Sequence, residues 1–265
     1  MVKQGYGTAI RPAAEPSMAG GGDPAPHPTL TGYYQTPQER DGFVQSLFDG
    51  AAGSYDRINT AFSFGSGAWY RRQALRRAGL RPGQRLLDVA VGTGLVAREA
   101  VRILGRREAV TGLDLSEGML AEARRRLGIP LIRGRAEALP VADASFDMLS
   151  MGYALRHVPD LLLAFQEYRR VLRPGGGLLL LEIARPEGRL AHAAARLYLG
   201  RLVPGLSRLL GGERAERMMH YYWDTIEACV PPAAITGALA AAGFEAVGCE
   251  VQLGLFRAYS ARRPK

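Results

Sequence analysis

Two parts of the chain combine residue types and spacing that suit chemistry. The first is the stretch LLDVAVGTGLVA, where Asp88 precedes Ala90, Gly92 and Gly94, and a second acid, Asp114, follows after 20 residues. Glycines let the backbone approach a ligand closely, and a helix start offers free N–H groups. A carboxylate at Asp114, with Leu115 beside it, can accept two hydrogen bonds from a ribose diol. The second part is Arg156-His157, at the end of the apolar run MGYALRHV, which reads as a buried strand running out to them. A neutral imidazole can take a proton at neutral pH, and a guanidinium is a fixed donor fork for a phenolate or a carboxylate. An ion pair with a nearby carboxylate would be the structural use of Arg156. Glu182, ending the fifth expected strand, either orients a donor or pairs with an arginine. His220, in MMHYYW, is a further proton-handling candidate. Its neighbours Tyr221 and Tyr222 either stack on an aromatic ligand or belong to a packed helix face.

These residues need rigid elements behind them. Apolar runs alternate with helical patterns along the chain. Strands are expected at 85–90, 109–114, 130–134, 146–151 and 177–183. Helices are expected at 95–104, from a Ser116 cap to Leu127, and at 161–172, the last stopped by Arg173-Pro174-Gly175-Gly176. Near-continuous apolar strands separated by helices predict a parallel sheet covered on both faces. Residues 244–252 and 255–262 predict a closing hairpin around Gly254. The expected fold is therefore α/β and Rossmann-like: a seven-stranded, mostly parallel sheet with a C-terminal antiparallel hairpin. Ligands of such sheets sit at the carboxyl ends of the strands, which is where Asp88, Asp114 and His157 fall.

The glycine loop by itself admits two ligands. Gly92-x-Gly94-x-x-Ala97 also satisfies a dinucleotide fingerprint, so an NAD(P)-linked oxidoreductase competes. Three features favour S-adenosylmethionine. Asp88 lies four residues before Gly92, where an acid can hold an ammonium group. Ala136-Glu137 follow the third strand, where an adenine edge would sit. The terminal hairpin suits a methyltransferase sheet better than a dehydrogenase.

Composition narrows the rest. The chain has 265 residues, 47% of them hydrophobic, and a net charge of +9. Lysine occurs only at positions 3 and 265, and arginine is spread throughout, so the charge reads as composition bias. No nucleic-acid recognition motif stands out. No apolar run is long enough to span a membrane, no export signal follows Lys3, and Cys229 and Cys249 read as core thiols, so a cytoplasmic protein is expected. The scattered histidines predict no metal site. Residues 1–38, rich in proline and glycine, read as a flexible tail that includes His27, and residues 39–265 as one domain. The helical insertion at 187–228 reads as an amphipathic pair or a lid. A weak peripheral membrane contact is its second reading, and a homodimer is compatible with the pattern.

Several segments carry a resemblance: YDRINTAFSFGSGAWYRR (55–72), LLDVAVGTG (86–94), GLDLSEGML (112–120), RAEALPVADASFD (135–147), YALRHV and RVLRPGGGLLLLEIARP (170–186). They resemble the UbiE/MenG-type family of ubiquinone and menaquinone C-methyltransferases, across about residues 40–265. The resemblance implies S-adenosylmethionine as methyl donor and S-adenosylhomocysteine as product. It implies that Asp88 and the loop to Gly94 hold the methionine end, that Asp114 binds the ribose, and that Ala136 meets adenine through its backbone. It places Tyr55 and Asn59 at the edge of the pocket. Thr60, Gly67-Ala68, Arg135 and His157 depart from the family pattern, which has asparagine at the last of these. The implied reaction is C-methylation of a quinol, a phenol or a related small aromatic. His157 would be the base, Arg156 would contact substrate, and His220 would be the second candidate base. O- or N-methylation of a secondary metabolite on the same scaffold is the alternative.

Overall fold

The computed structural model describes residues 25–62 and 66–265. Among these described residues, seven strands form one sheet in the order β3-β2-β1-β4-β5-β7-β6. β1 (Leu86–Val89) lies at the centre and is buried throughout. It pairs in parallel with β2 (Val110–Asp114) through Leu86 and Val110, and with β4 (Phe146–Gly152) through Leu86 and Met148. β3 (Leu131–Arg133) extends the sheet beyond β2, and β5 (Leu172–Ile183) beyond β4. β6 (Glu245–Gln252) and β7 (Phe256–Arg262) form the hairpin expected around Gly254, and β7 runs antiparallel to β5.

Alternation along β1 explains the two cores. Leu87 and Val89 face one side, with Phe165 and Tyr168 of α5 (Leu161–Val171) and Leu239 of α8 (Pro232–Ala241). Leu86 faces the other side, with Leu75 of α2 (Ser66–Arg77), Ala97 of α3 (Leu95–Leu104) and Leu120 of α4 (Glu117–Leu127). Asp88 shares the parity of Leu86 and is drawn into the same buried layer. Helices on one face connect β1, β2 and β3, and α5 on the other connects β4 and β5. The topological switch therefore falls between β1 and β4, and a crevice opens beyond their carboxyl ends. Two 26-residue helices, α1 (Pro37–Phe62) and α7 (Val203–Ala228), pack on each other through Ala51, Ile58, Ala215 and Met218.

Three expectations are corrected. The fourth strand stops at Gly152, where a Cβ would come within 2.6 Å of Val96. Tyr153 then turns the chain with φ 62°, and Leu155–His157 forms a 3₁₀ turn instead of a strand end. Strand β5 begins earlier than expected, at Leu172, and the Pro-Gly-Gly segment is absorbed by irregular pairing between Phe146 and Met148. The tail boundary also moves. Residues 1–24 lie outside the described residues, but 25–38 pack on the domain. His27 and Tyr34 are buried, the Val230 N–H donates to the Pro26 carbonyl (2.8 Å), and Tyr33 packs edge-on against Tyr221. Burial of these aromatic rings outweighs the ordering of a proline-rich segment.

Gly94 shows how tightly the glycine loop is built. Its φ is 88°, and a Cβ there would lie 2.1 Å from Leu127 Cδ1. Gly94→Ala should cost about 2–5 kcal/mol, the sum of left-handed strain and overpacking. The denaturant midpoint measures it, and a midpoint within error of the parent would mean that Leu127 yields freely.

Candidate active site

The crevice is a cavity of about 1110 Å³, measured out to its open mouth. Asp88, Ala90, Gly92, Asp114, Leu115, Ala136, Glu137, Tyr55 and His157 all line it. Sequence spacing thus brought the predicted cofactor residues to one place. Gly94 is the exception: its side of the loop faces Leu127, and its N–H closes the turn onto the Val91 carbonyl (2.9 Å).

Asp114 is held by the backbone. Its Oδ2 accepts from the Gly92 N–H (2.8 Å) and its Oδ1 from the Ser116 N–H (2.9 Å). Each oxygen keeps a lone pair for a further donor. Burial raises its pKa to about 6, against those two hydrogen bonds. Asp88 is 1% exposed. Its Oδ1 accepts from the Ser150 hydroxyl (2.6 Å), while Oδ2 is buried without a partner. Burial raises its pKa to about 7. An orphaned carboxylate oxygen in the wall of a cavity lacks a donor, and a ligand's ammonium group would supply one.

Arg71 was not singled out in the sequence. It lines the cavity and is buried, with its guanidinium 5.3 Å from the centre of the Tyr153 ring. Its Nη2 donates to Asn59 Oδ1 (3.1 Å), and its Nε has no partner. Asn59, expected at the pocket, therefore acts by holding Arg71 and does not line the cavity itself. No signal separates Arg71 from Arg72 in WYRR; only the turn of α2 points one inward. Thr93, also unremarked, lines the loop and donates to Asp56.

On the cavity wall, His157 is sandwiched. Its ring stacks on Tyr221 (5.5 Å between centres) and meets Phe48 edge-on (5.2 Å). Nδ1 lies 3.5 Å from the Tyr221 hydroxyl, and Nε2 is buried without a partner. Burial, then the charges of Arg156 and Arg40, hold its pKa well below the usual histidine value.

The other two catalytic candidates lie elsewhere. Arg156 is fully buried behind His157, ion-paired with Glu182, with its guanidinium over the Tyr222 ring (4.5 Å) and Nε donating to Thr225 (3.2 Å). It does not line the cavity, so the expected substrate contact is corrected to a structural ion pair. The short 3₁₀ turn that presents His157 to the cavity turns its neighbour into the core. His220 is exposed on α7, because the helix spends its inward face on Met218, Tyr221 and Thr225. Of the MMHYYW cluster, Tyr221 is the residue that stacks on His157.

Comparison with known proteins adds to this geometry. Residues 35–256 match the model of the ubiE/COQ5 methyltransferase family. The chain belongs to that family. A demethylmenaquinone methyltransferase of Desulfitobacterium hafniense is 34% identical over 191 residues, 69% of this chain and 76% of that protein. A ubiquinone/menaquinone biosynthesis C-methyltransferase UbiE of Shewanella woodyi is 31% identical over 231 residues, 84% and 91% of the two chains. A crystal structure of a SAM-dependent methyltransferase from Thermotoga maritima shares the fold, with a TM-score of 0.58 and 22% identity over 83% of this chain and 99% of that one. This ubiE/COQ5-family protein is a SAM-dependent methyltransferase, and its cofactor is S-adenosylmethionine. The residues present fit that molecule. The partnerless Asp88 oxygen suits the ammonium of an amino acid, and the backbone-held Asp114 suits a diol.

Proposed function

We propose that the protein C-methylates a small electron-rich aromatic, a quinol or phenol. One observation carries the reading: His157 lines the cavity with its ring packed between Phe48 and Tyr221 and its Nε2 buried without a partner. Tyr55 and Tyr153 continue the aromatic wall from Phe48 and suit a flat ring. The names of the relatives, which refer to demethylmenaquinone and to ubiquinone biosynthesis, point the same way.

The cofactor supplies a methyl group made electrophilic by a sulfonium. Asp88 and Arg71, opposite charges in one buried wall, are matched to the two ends of its amino-acid portion. Asp114 would take the ribose hydroxyls, and the backbone at Ala136-Glu137 would meet the adenine edge. The protein's further work is to orient the acceptor ring, keep water out and move one proton. A ring carbon that has gained a methyl regains aromaticity on losing its proton, so it is strongly acidic. A weak base is enough for that proton, and His157 is held as one. Staying uncharged at neutral pH, it is always ready to accept.

His157→Ala is expected to lower kcat by about 10²–10⁴-fold, the usual worth of a positioned base. Cofactor affinity by calorimetry should stay near that of the parent. The acid limb of the parent's kcat profile should lie well below the usual histidine range, because only protonated His157 is inactive. Full turnover in the alanine variant would remove His157 from the chemistry. A methyl-transfer screen over quinols, phenols and heteroaromatics, with the new methyl located by NMR, tests the reading as a whole. A product methylated on oxygen or nitrogen would overturn it.

A further inference from the structure

The outer helices break the usual rule of burial. In α6 (Arg189–Leu197), Leu190, Ala193, Ala194 and Leu197 recur at the spacing of one helix face. Yet no residue of α6 is buried; Leu190 is 89% exposed and Leu197 53%. The pattern repeats across the next turn. Leu202, Leu206, Leu209 and Leu210 share one face and are exposed, with Leu209 at 82%, while Val203 and Ser207 on the opposite side are buried. The left-handed break at Gly212 divides this outer part of α7 from the inner half that packs on α1. An apolar helix face ordinarily turns inward, and a contiguous exposed one marks an interaction surface.

Arginines flank the leucines: Arg189, Arg196, Arg201 and Arg208 are all exposed. Among the described residues only Arg208 of these four meets a carboxylate, with Glu213 and Glu216 each at 3.5 Å. We propose that this outer helical segment, continuous from α6 through the π-helical turn Tyr198–Leu202 into α7 as far as Gly212, docks the protein on an anionic lipid surface. The leucines enter the boundary between headgroups and acyl chains, and the arginine stems snorkel to lipid phosphates. Among the described residues no helix is long and apolar enough to cross a membrane, so the segment lies in the plane of the interface. A second copy of the chain fits this face poorly. A two-fold contact sets the same patch against itself and would oppose arginines without matching acids. The inference does not depend on which acceptor is methylated.

The test is co-sedimentation of the full chain with phosphatidylcholine vesicles, with and without phosphatidylglycerol. Binding to the anionic vesicles is expected, weakened by salt and weaker on phosphatidylcholine alone. In the double variant Leu197→Gln, Leu209→Gln, affinity should fall about tenfold or more for each leucine kept out of the bilayer. In Arg196→Gln, Arg201→Gln it should fall about fivefold per arginine on anionic vesicles only. All four positions are exposed and away from the cavity, so calorimetric affinity for S-adenosylmethionine should be unchanged in both variants and reports intact folding. A parent protein that stays in the supernatant would overturn the proposal, as would leucine variants that bind like the parent. A lipid-free dimer dissociated by the leucine changes, without vesicle binding, would assign the face to a second copy instead.

Discussion

Replacing Glu182 by alanine is expected to cost about 3–5 kcal/mol of stability, the loss typical of a buried charge stripped of its partner. Arg156 is 0% exposed and Glu182 3%, so the guanidinium left behind has no water to turn to. Its remaining contacts, Thr225, the Ile183 carbonyl and the Tyr222 ring, are uncharged. Glu182 also accepts the Leu155 N–H (2.8 Å), which fixes the turn that carries His157. The variant should therefore lose turnover beyond what its folded fraction explains. Glu182→Gln keeps an acceptor for Leu155 and separates the two effects. Combined with Arg156→Met it removes both charges, and most of the lost stability should return. Urea midpoints measure this. A single Glu182→Ala variant as stable as the parent would show that Arg156 finds another anion or reaches water.

Asp88→Asn should move stability and cofactor binding in opposite directions. The Asp88 carboxyl has its pKa raised by burial to about 7 from 3.8. A folded-state pKa above the unfolded one means that the folded protein holds the proton more tightly. That contribution is complete below the unfolded value, near 4, and is lost as pH rises through about 7. At about pH 8 the cofactor-free protein therefore carries a buried, half-satisfied carboxylate, and asparagine relieves it by on the order of 1–4 kcal/mol. The same change removes the charge offered to the ammonium group, and affinity should drop about 10–150-fold. In the parent, affinity should weaken as pH falls below about 7, because Asp88 protonates first and Asp114, at about 6, follows. Thermal melts of the cofactor-free protein and calorimetry across pH read both. Undiminished affinity in Asp88→Asn would refute its role.

The two sides of the cavity differ in how they are encoded. Asp88, Ala90 and Gly92 lie within one strand–turn, and Asp114 ends the neighbouring strand. Their positions follow from local periodicity and one short crossover, which an amino-acid string displays directly. The acceptor side draws on segments far apart in the chain. Arg40 donates to the Arg156 carbonyl (2.6 Å) and approaches His27 (3.3 Å), Phe48 and Tyr221 sandwich His157, and Glu182 meets Arg156. Arg156 and His157 look alike in the string, as two polar residues ending an apolar run. A single helical turn sends one to the core and the other to the cavity. His220 and Tyr221 separate in the same way. Histidine stood out in the string as the chemically active type, but the inward face of α7 falls on the tyrosine.

By itself the sequence determined the α/β alternation, the closing hairpin, the acid–glycine loop and the second acid, and with them the fold, the family and the cofactor. Each of these is written in neighbouring residues or at fixed short spacing. Only the tertiary structure decided that Arg156 is an internal ion pair, that Arg71 lines the cavity, that residues 25–38 belong to the domain, and that the leucines of α6 and α7 face outward. Those outcomes depend on which face of an element is covered, and the covering groups come from distant parts of the chain.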